Sequence, residues 1–168
     1  SSAASDVYKR QVYGGFKFFE RKEIKDLTAY LRLLCNPLDN EAVLRVINVP
    51  KRGIGDKSIE VLQKYADGNG FSVFDGVFDC DLLDLNNGAK SKIRSFKDII
   101  SSLIVDKETM TLTELVKSVI DKTNYMSCFE EKTEENEDKK RNVNELLASV
   151  EEFEKQNPQA SLSEYLNG

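Results

Sequence analysis

Apolar residues recur along most of this chain at helical spacing. Ile24, Leu27, Leu31 and Leu34 fall at i, i+3, i+7 and i+10, with Tyr30 beside them, which predicts a helix with one apolar face. Its other face reads as charged, through Glu20, Arg21, Lys22, Glu23, Lys25 and Asp26. Asn36-Pro37 ends it, because a residue before proline avoids the α region. Asp39 or Asn40 can cap a second helix with Val43, Leu44, Val46 and Ile47 as its apolar set, and Pro50 stops that one. After a glycine-containing turn, a third helix directs Ile59, Leu62 and Tyr65 inward and ends in a turn at Gly68-Asn69-Gly70.

A short helix spans Val73 to Phe78, and the acidic stretch from Asp79 to Gly88 reads as a loop. Three longer helices follow. The first uses Ile93, Phe96, Ile99, Ile100, Leu103 and Ile104. The second opens with a capping box of Thr111 and Glu114 and buries Leu112, Leu115, Val116, Val119 and Ile120. The third uses Leu146, Leu147, Val150 and Phe153, preceded by a charge run from Glu130 to Lys140 that forms a solvated turn or an exposed helical extension. A second capping box, Ser161 with Glu164, starts a short terminal helix. There is no repeated unit and no convincing strand after residue 16, so the expected architecture is all-α, an irregular multi-helix bundle.

Residues 1–11 carry no apolar period. They read as a tag, leader or adapter and are excluded from the fold. Val12 and Tyr13 read as the end of a strand, broken by Gly14-Gly15. The 168 residues suffice for one domain or two small ones. No apolar run is long enough for a transmembrane helix and no signal peptide is visible, so no membrane role is expected. There is no His, which removes Ser-His-Asp and Cys-His nucleophiles, HExxH zinc sites and Cys/His zinc fingers. No Gly-Lys pair exists, hence no P-loop. Cys35, Cys80 and Cys128 are dispersed and odd in number, which points to a reducing cytoplasm rather than a disulfide framework. An independent enzyme is not expected, nor a cofactor or metal in this segment. The net charge of −5 is unevenly spread: residues 1–66 hold 12 Lys/Arg against 8 Asp/Glu, and residues 67–168 hold 12 against 21.

The sharpest chemical feature is Lys51-Arg52-Gly53-Ile54-Gly55, followed by Asp56, Lys57 and Ser58 at a helix start. Two glycines let a loop press its N–H groups against an anion. The helix start adds free donors and partial positive charge. Lys51, Arg52 and Lys57 add full charges, Ile54 can anchor the loop, and Ser58 can donate a hydroxyl. These are the parts of a phosphate-backbone site without base readout; from spacing alone, a tight interhelical turn fits equally. Glu130, Glu131, Glu134 and Glu135 lack the apolar shielding an acid/base pair needs. Asp79, Asp81 and Asp84 fail the EF-hand pattern. Phe16, Phe18 and Phe19 read as core packing rather than a base-stacking platform, and the cysteines as small core hydrophobes.

Three stretches carry a resemblance. Residues 14–26, from Gly14-Gly15-Phe16 to Asp26, then Ala29 to Leu33 with Asn36-Pro37, then Arg45 to Gly55, resemble the UvrD/PcrA/Rep family of superfamily 1 DNA helicases. Looser likeness continues through residues 71–74, 112–116 and 161–166. The resemblance implies an ATP-dependent 3′–5′ DNA helicase as the parent, acting in repair or replication, with ATP and Mg held outside this segment. It implies that residues 17–168 are the helical 2B subdomain and residues 12–16 a hinge segment from the second RecA-like domain, with Gly14 and Gly15 at the pivot. It also implies that Lys51, Arg52, Gly53, Ile54, Gly55, Lys57 and Ser58 touch the backbone of double-stranded DNA, much as helix-hairpin-helix motifs do; Ser58 stands where the family often has Thr. The remaining helicase domains, and repair or replication proteins, are the other implied partners. The alternative function is a regulatory or protein-interaction module that holds the motor closed or docks such proteins.

Overall fold

The computed structural model describes residues 16–167. The expected leader at 1–11, the expected strand end at Val12 and Tyr13, and the expected hinge residues Gly14 and Gly15 lie outside the described residues. Within them the chain forms α1 (Phe16–Phe19), α2 (Lys22–Cys35), α3 (Asn40–Val46), α4 (Asp56–Asn69), α5 (Val73–Phe78), α6 (Asn87–Thr109), α7 (Leu112–Lys122), α8 (Glu134–Gln156) and α9 (Leu162–Leu166). Two 3-10 segments, Cys80–Leu82 and Tyr125–Phe129, interrupt the connections. The described residues include no strand, and the domain is an all-α multi-helix bundle.

The apolar face of α2 is the hub. Ile24, Leu27, Tyr30, Leu31 and Leu34 are buried, and α2 packs against α1, α3, α6, α7, α8 and α9. With neighbours on so many sides, its polar face cannot all reach solvent. This corrects the charged-face expectation at two positions: Glu23 and Asp26 are buried, at 5% and 1% exposure. Burial of a carboxylate is tolerable only when it is paired and hydrogen-bonded. Asp26 accepts from Lys22 Nζ at 2.9 Å, Arg45 Nε at 3.0 Å and the Tyr125 hydroxyl at 2.9 Å. Glu23 accepts from Asn142 Nδ2 at 2.6 Å. These bonds tie α2 to α3, to the second 3-10 segment and to α8.

Local signals set most helix ends. Asp39 caps α3 by accepting from the Ala42 N–H. Thr111 and Glu114 form the capping box expected at α7, and Ser72 with Asp75 forms another at α5. Ser161 accepts from the Glu164 N–H at the start of α9. α4 runs two residues further than the glycines suggest, through Asn69, and stops at Gly70 in the left-handed region (φ 68°). The stretch 79–88 is not a plain loop, because the 3-10 turn buries Cys80 and is followed by buried Leu83. The charge run is a helical extension from Glu134, laced by Lys139–Glu135, Lys140–Glu137 and Arg141–Asp138 pairs. Among the described residues, no helix is long and apolar enough to cross a membrane. The three cysteines are free thiols, Cys80 buried and Cys128 exposed. Burial pushes the thiols of Cys35 and Cys128 above their ordinary value.

Candidate nucleic-acid interface

The chain leaves α3, passes a cis Val49–Pro50 peptide, and reaches α4 through residues 51–55. Three inward-facing side chains fix this loop. Ile54 is 3% exposed and plugs into the core. Asn48 clasps the Ile54 backbone from both sides: its Oδ1 accepts from the Ile54 N–H at 3.0 Å, and its Nδ2 donates to the Ile54 carbonyl at 2.5 Å. Arg52 turns inward as well. Its guanidinium donates to the carbonyls of Val46 (2.7 Å) and Ile47 (3.0 Å) and to the Tyr30 hydroxyl (2.6 Å). It also lies 5.1 Å from the ring centre of Phe96 and 5.9 Å from that of Tyr30, at cation–π range.

The outward side of the loop is left open. Lys51, Gly53, Gly55, Asp56 and Lys57 are exposed. Gly55 occupies the N-cap position of α4 with an extended backbone and no side-chain cap. The amides of Asp56, Lys57 and Ser58 precede the first intrahelical bond, which runs from the Ile59 N–H to the Gly55 carbonyl at 3.0 Å. Among the described residues, those three amides donate to no other group. Lys51 and Lys57 form no ion pair with a described carboxylate, whereas Arg32, Arg45, Arg94 and Lys122 do. Ser58 is 7% exposed, and its hydroxyl has no hydrogen-bond partner among the described residues.

The two glycines serve different ends. Gly53 has φ +74°, where a side chain is strained. Gly55 has an ordinary φ of −74°, and a Cβ built on it meets nothing within 4 Å. A side chain at Gly55 therefore fits the fold and projects into the space beside the open amides.

The geometry thus gathers Lys51, Gly53, Gly55, Lys57 and Ser58 around one set of free donors, with Ile54 as the anchor. Arg52 sits apart from that set, spent on the carbonyls at the end of α3 and on the Tyr30 hydroxyl. Two residues escaped the sequence reading. Asn48 carried no local signal that revealed its clasp. Lys92 of α6 lies 39 positions from Gly53 and reaches it only through tertiary packing: a Cβ on Gly53 would stand 3.3 Å from Lys92 Nζ.

Other candidate features resolve as structural. Phe18 is 1% exposed and meets Phe19 edge to face at 5.2 Å. Asp81 pairs with Arg94, which holds its carboxyl below the usual range, and Asp79 accepts from the Tyr65 hydroxyl at 3.0 Å. Glu130, Glu131, Glu134 and Glu135 are exposed. Among the described residues no group of three His, Cys, Asp or Glu side chains is placed to hold a metal ion.

Residues 8–167 match the profile of the UvrD-like helicase C-terminal domain. The chain belongs to that family. Among its relatives is the ATP-dependent DNA helicase PcrA of Bacillus subtilis, 36% identical over 156 residues, which cover 92% of this chain and 21% of the relative. The PcrA helicases of Staphylococcus aureus strain Mu50 and Staphylococcus epidermidis are 38% and 37% identical over 146 residues, covering 86% of this chain and 20% of theirs. The chain therefore spans about a fifth of the length of these curated relatives. In this UvrD-like domain the loop at 51–58 brings together amides that donate to no described group, two lysines without an ion pair and two glycines.

Proposed function

We propose that this chain is the 2B subdomain of a PcrA-like ATP-dependent DNA helicase and that it grips the phosphate backbone of duplex DNA through residues 51–58. The observation that carries the reading is the set of Asp56, Lys57 and Ser58 amides that donate to no described group, at the end of a loop pinned from inside through Ile54 and the Arg52 guanidinium. A phosphate seated there accepts from those N–H groups and meets the positive end of α4. Lys51 and Lys57 supply the full charges. The contacts address phosphate and not base edges, so the grip is independent of sequence. Asp56 carries the opposing charge at the same helix end and keeps the site weak.

ATP and Mg²⁺ belong, in this reading, to the motor domains of the parent protein. The sequence here contains no P-loop to cradle a triphosphate. The contribution of this domain is to hold duplex ahead of the motor, in the cytoplasm, while translocation separates the strands. With two or three cationic contacts, the isolated domain binds duplex at or above about 10⁻⁴ M at physiological salt, with a log–log salt slope of roughly −2 to −3. The test is a fluorescence anisotropy titration of labelled duplex at low salt with the wild-type chain and Gly55→Val. The variant keeps its helical circular dichroism and loses duplex binding. Equal binding by the two proteins would remove the loop from the interface.

A second role rests on charge segregation. Residues 67–168 carry 21 acidic against 12 basic residues, so that part of the domain, away from the 51–58 loop, suits docking to the motor domains or to repair and replication proteins. A pull-down of the remaining helicase domains, with and without DNA, separates this role from DNA binding.

A further inference from the structure

Lys92 stands on α6, in an element with no sequence proximity to the 51–58 loop, yet its side chain lies along Gly53. A Cβ built on Gly53 would be 3.3 Å from Nζ and 3.5 Å from both Cδ and Cε, so the lysine's outer stem lies on the side of Gly53 where a side chain would stand. Gly53 thus does two things: it takes a positive φ, and it leaves a surface flat enough for a cation from another helix to rest on it. Lys92 is exposed and has no ion-pair or hydrogen-bond partner among the described residues. That distinguishes it from its neighbours on α6. Lys90 donates to the Asp81 carbonyl at 3.0 Å, Arg94 pairs with Asp81, and Lys97 lies over the Phe78 ring at 5.3 Å.

An unpaired ammonium beside the loop that carries Lys51 and Lys57 adds positive charge where an anion would arrive. Ser58 adds an independent indication: a hydroxyl in a residue 7% exposed, at the third position of α4, with no hydrogen-bond partner among the described residues. We infer that Lys92 is a third phosphate-binding cation of the interface, so that the site is composite, with α6 supplying the charge that the inward-turned Arg52 does not. The inference rests on the duplex-binding role proposed above and extends it by one named contact from outside the loop.

The slope of log affinity against log salt decides it. Each phosphate neutralised contributes about −0.9 to that slope on B-form DNA. Anisotropy titrations of the 168-residue chain against a labelled duplex, over a KCl series, compare wild type with Lys92→Gln, Lys92→Arg and the remote control Lys155→Gln. The expected result is a slope shallower by about 0.9 for Lys92→Gln, with affinity down on the order of fivefold at low salt. Lys92→Arg and Lys155→Gln keep the wild-type slope. Lys92 is exposed, so Lys92→Gln folds, and circular dichroism verifies this. If wild type binds duplex and Lys92→Gln binds with unchanged slope and affinity, the inference falls while the loop's role stands. If wild type shows no salt-dependent binding, the duplex reading falls and the inference with it.

Discussion

Arg52 donates to the Tyr30 hydroxyl at 2.6 Å, and that hydroxyl in turn meets the carbonyl of Val49. The arginine read from the sequence as a phosphate ligand is bonded into the core side of its own loop. Replacing Arg52 by Met takes the donor from the Ile47 carbonyl and one bond each from the Val46 carbonyl and the Tyr30 hydroxyl, which keep the Val49 N–H and the Val49 carbonyl as partners. The expected loss is about 2–3 kcal/mol, measured by urea unfolding. The duplex salt slope of any folded fraction stays at the wild-type value. A slope shallower by a full contact would show that Arg52 reaches DNA after all.

Gly53 and Gly55 separate stability from binding. Gly53→Ala forces a side chain into φ +74° and costs about 1–2 kcal/mol. Gly55→Ala changes stability by less than about 0.5 kcal/mol, because its φ is ordinary and no atom lies within 4 Å of the new Cβ. Thermal or urea denaturation of the two variants side by side checks the contrast, and equal destabilisation would contradict the loop geometry.

The buried carboxylate of Asp26 is the most vulnerable polar group in the fold. It collects Lys22, Arg45 and Tyr125 from three separate elements. Asp26→Ala strands those partners and costs about 3 kcal/mol. Tyr125→Phe removes one neutral donor and costs about 1–2 kcal/mol. Because the residues share a network, the double variant loses less than the sum of the two. A thermodynamic cycle in urea measures the coupling; strict additivity would mean the network is not cooperative.

Tyr30 contributes to the alkaline limb of stability, beside Tyr125, whose phenol burial also raises. Burial raises the Tyr30 phenol to about 12, against the opposing pull of the nearby Arg52 charge. The unfolded chain releases the same proton near pH 10. Below that, both states are protonated and the stability due to this group is intact. Between about pH 10 and 12 only the unfolded state ionises, so stability falls as pH rises. Unfolding free energies measured from pH 9 to 12 show this decline in wild type and a shallower one in Tyr30→Phe. An identical slope in both proteins would exclude Tyr30 as its source.

Much of this was legible in the residues. Period-3.6 apolar spacing gave the helices, and short-range capping pairs such as Thr111 with Glu114 gave their starts, because both depend on residues within one turn of each other. Pro50, Gly53 and Gly55 located the candidate loop for the same reason. The family profile over residues 8–167 and the resemblance read from residues 14–55 agree on a helicase domain.

What local pattern does not encode is which polar side chain faces in. Glu23 and Asp26 look like a solvated face until α3, α8 and the second 3-10 segment close over α2 and bring their donors. Arg52 and Lys57 are alike as sequence, yet one is drawn to carbonyls freed at the end of α3 and the other is left at the open start of α4. Lys92 joins the loop only because α6 passes beside it. The sequence by itself determined the helices and the position of the loop; the packing of distant helices decided which charges that loop presents, since the burial and pairing of an ion depend on neighbours remote in the chain.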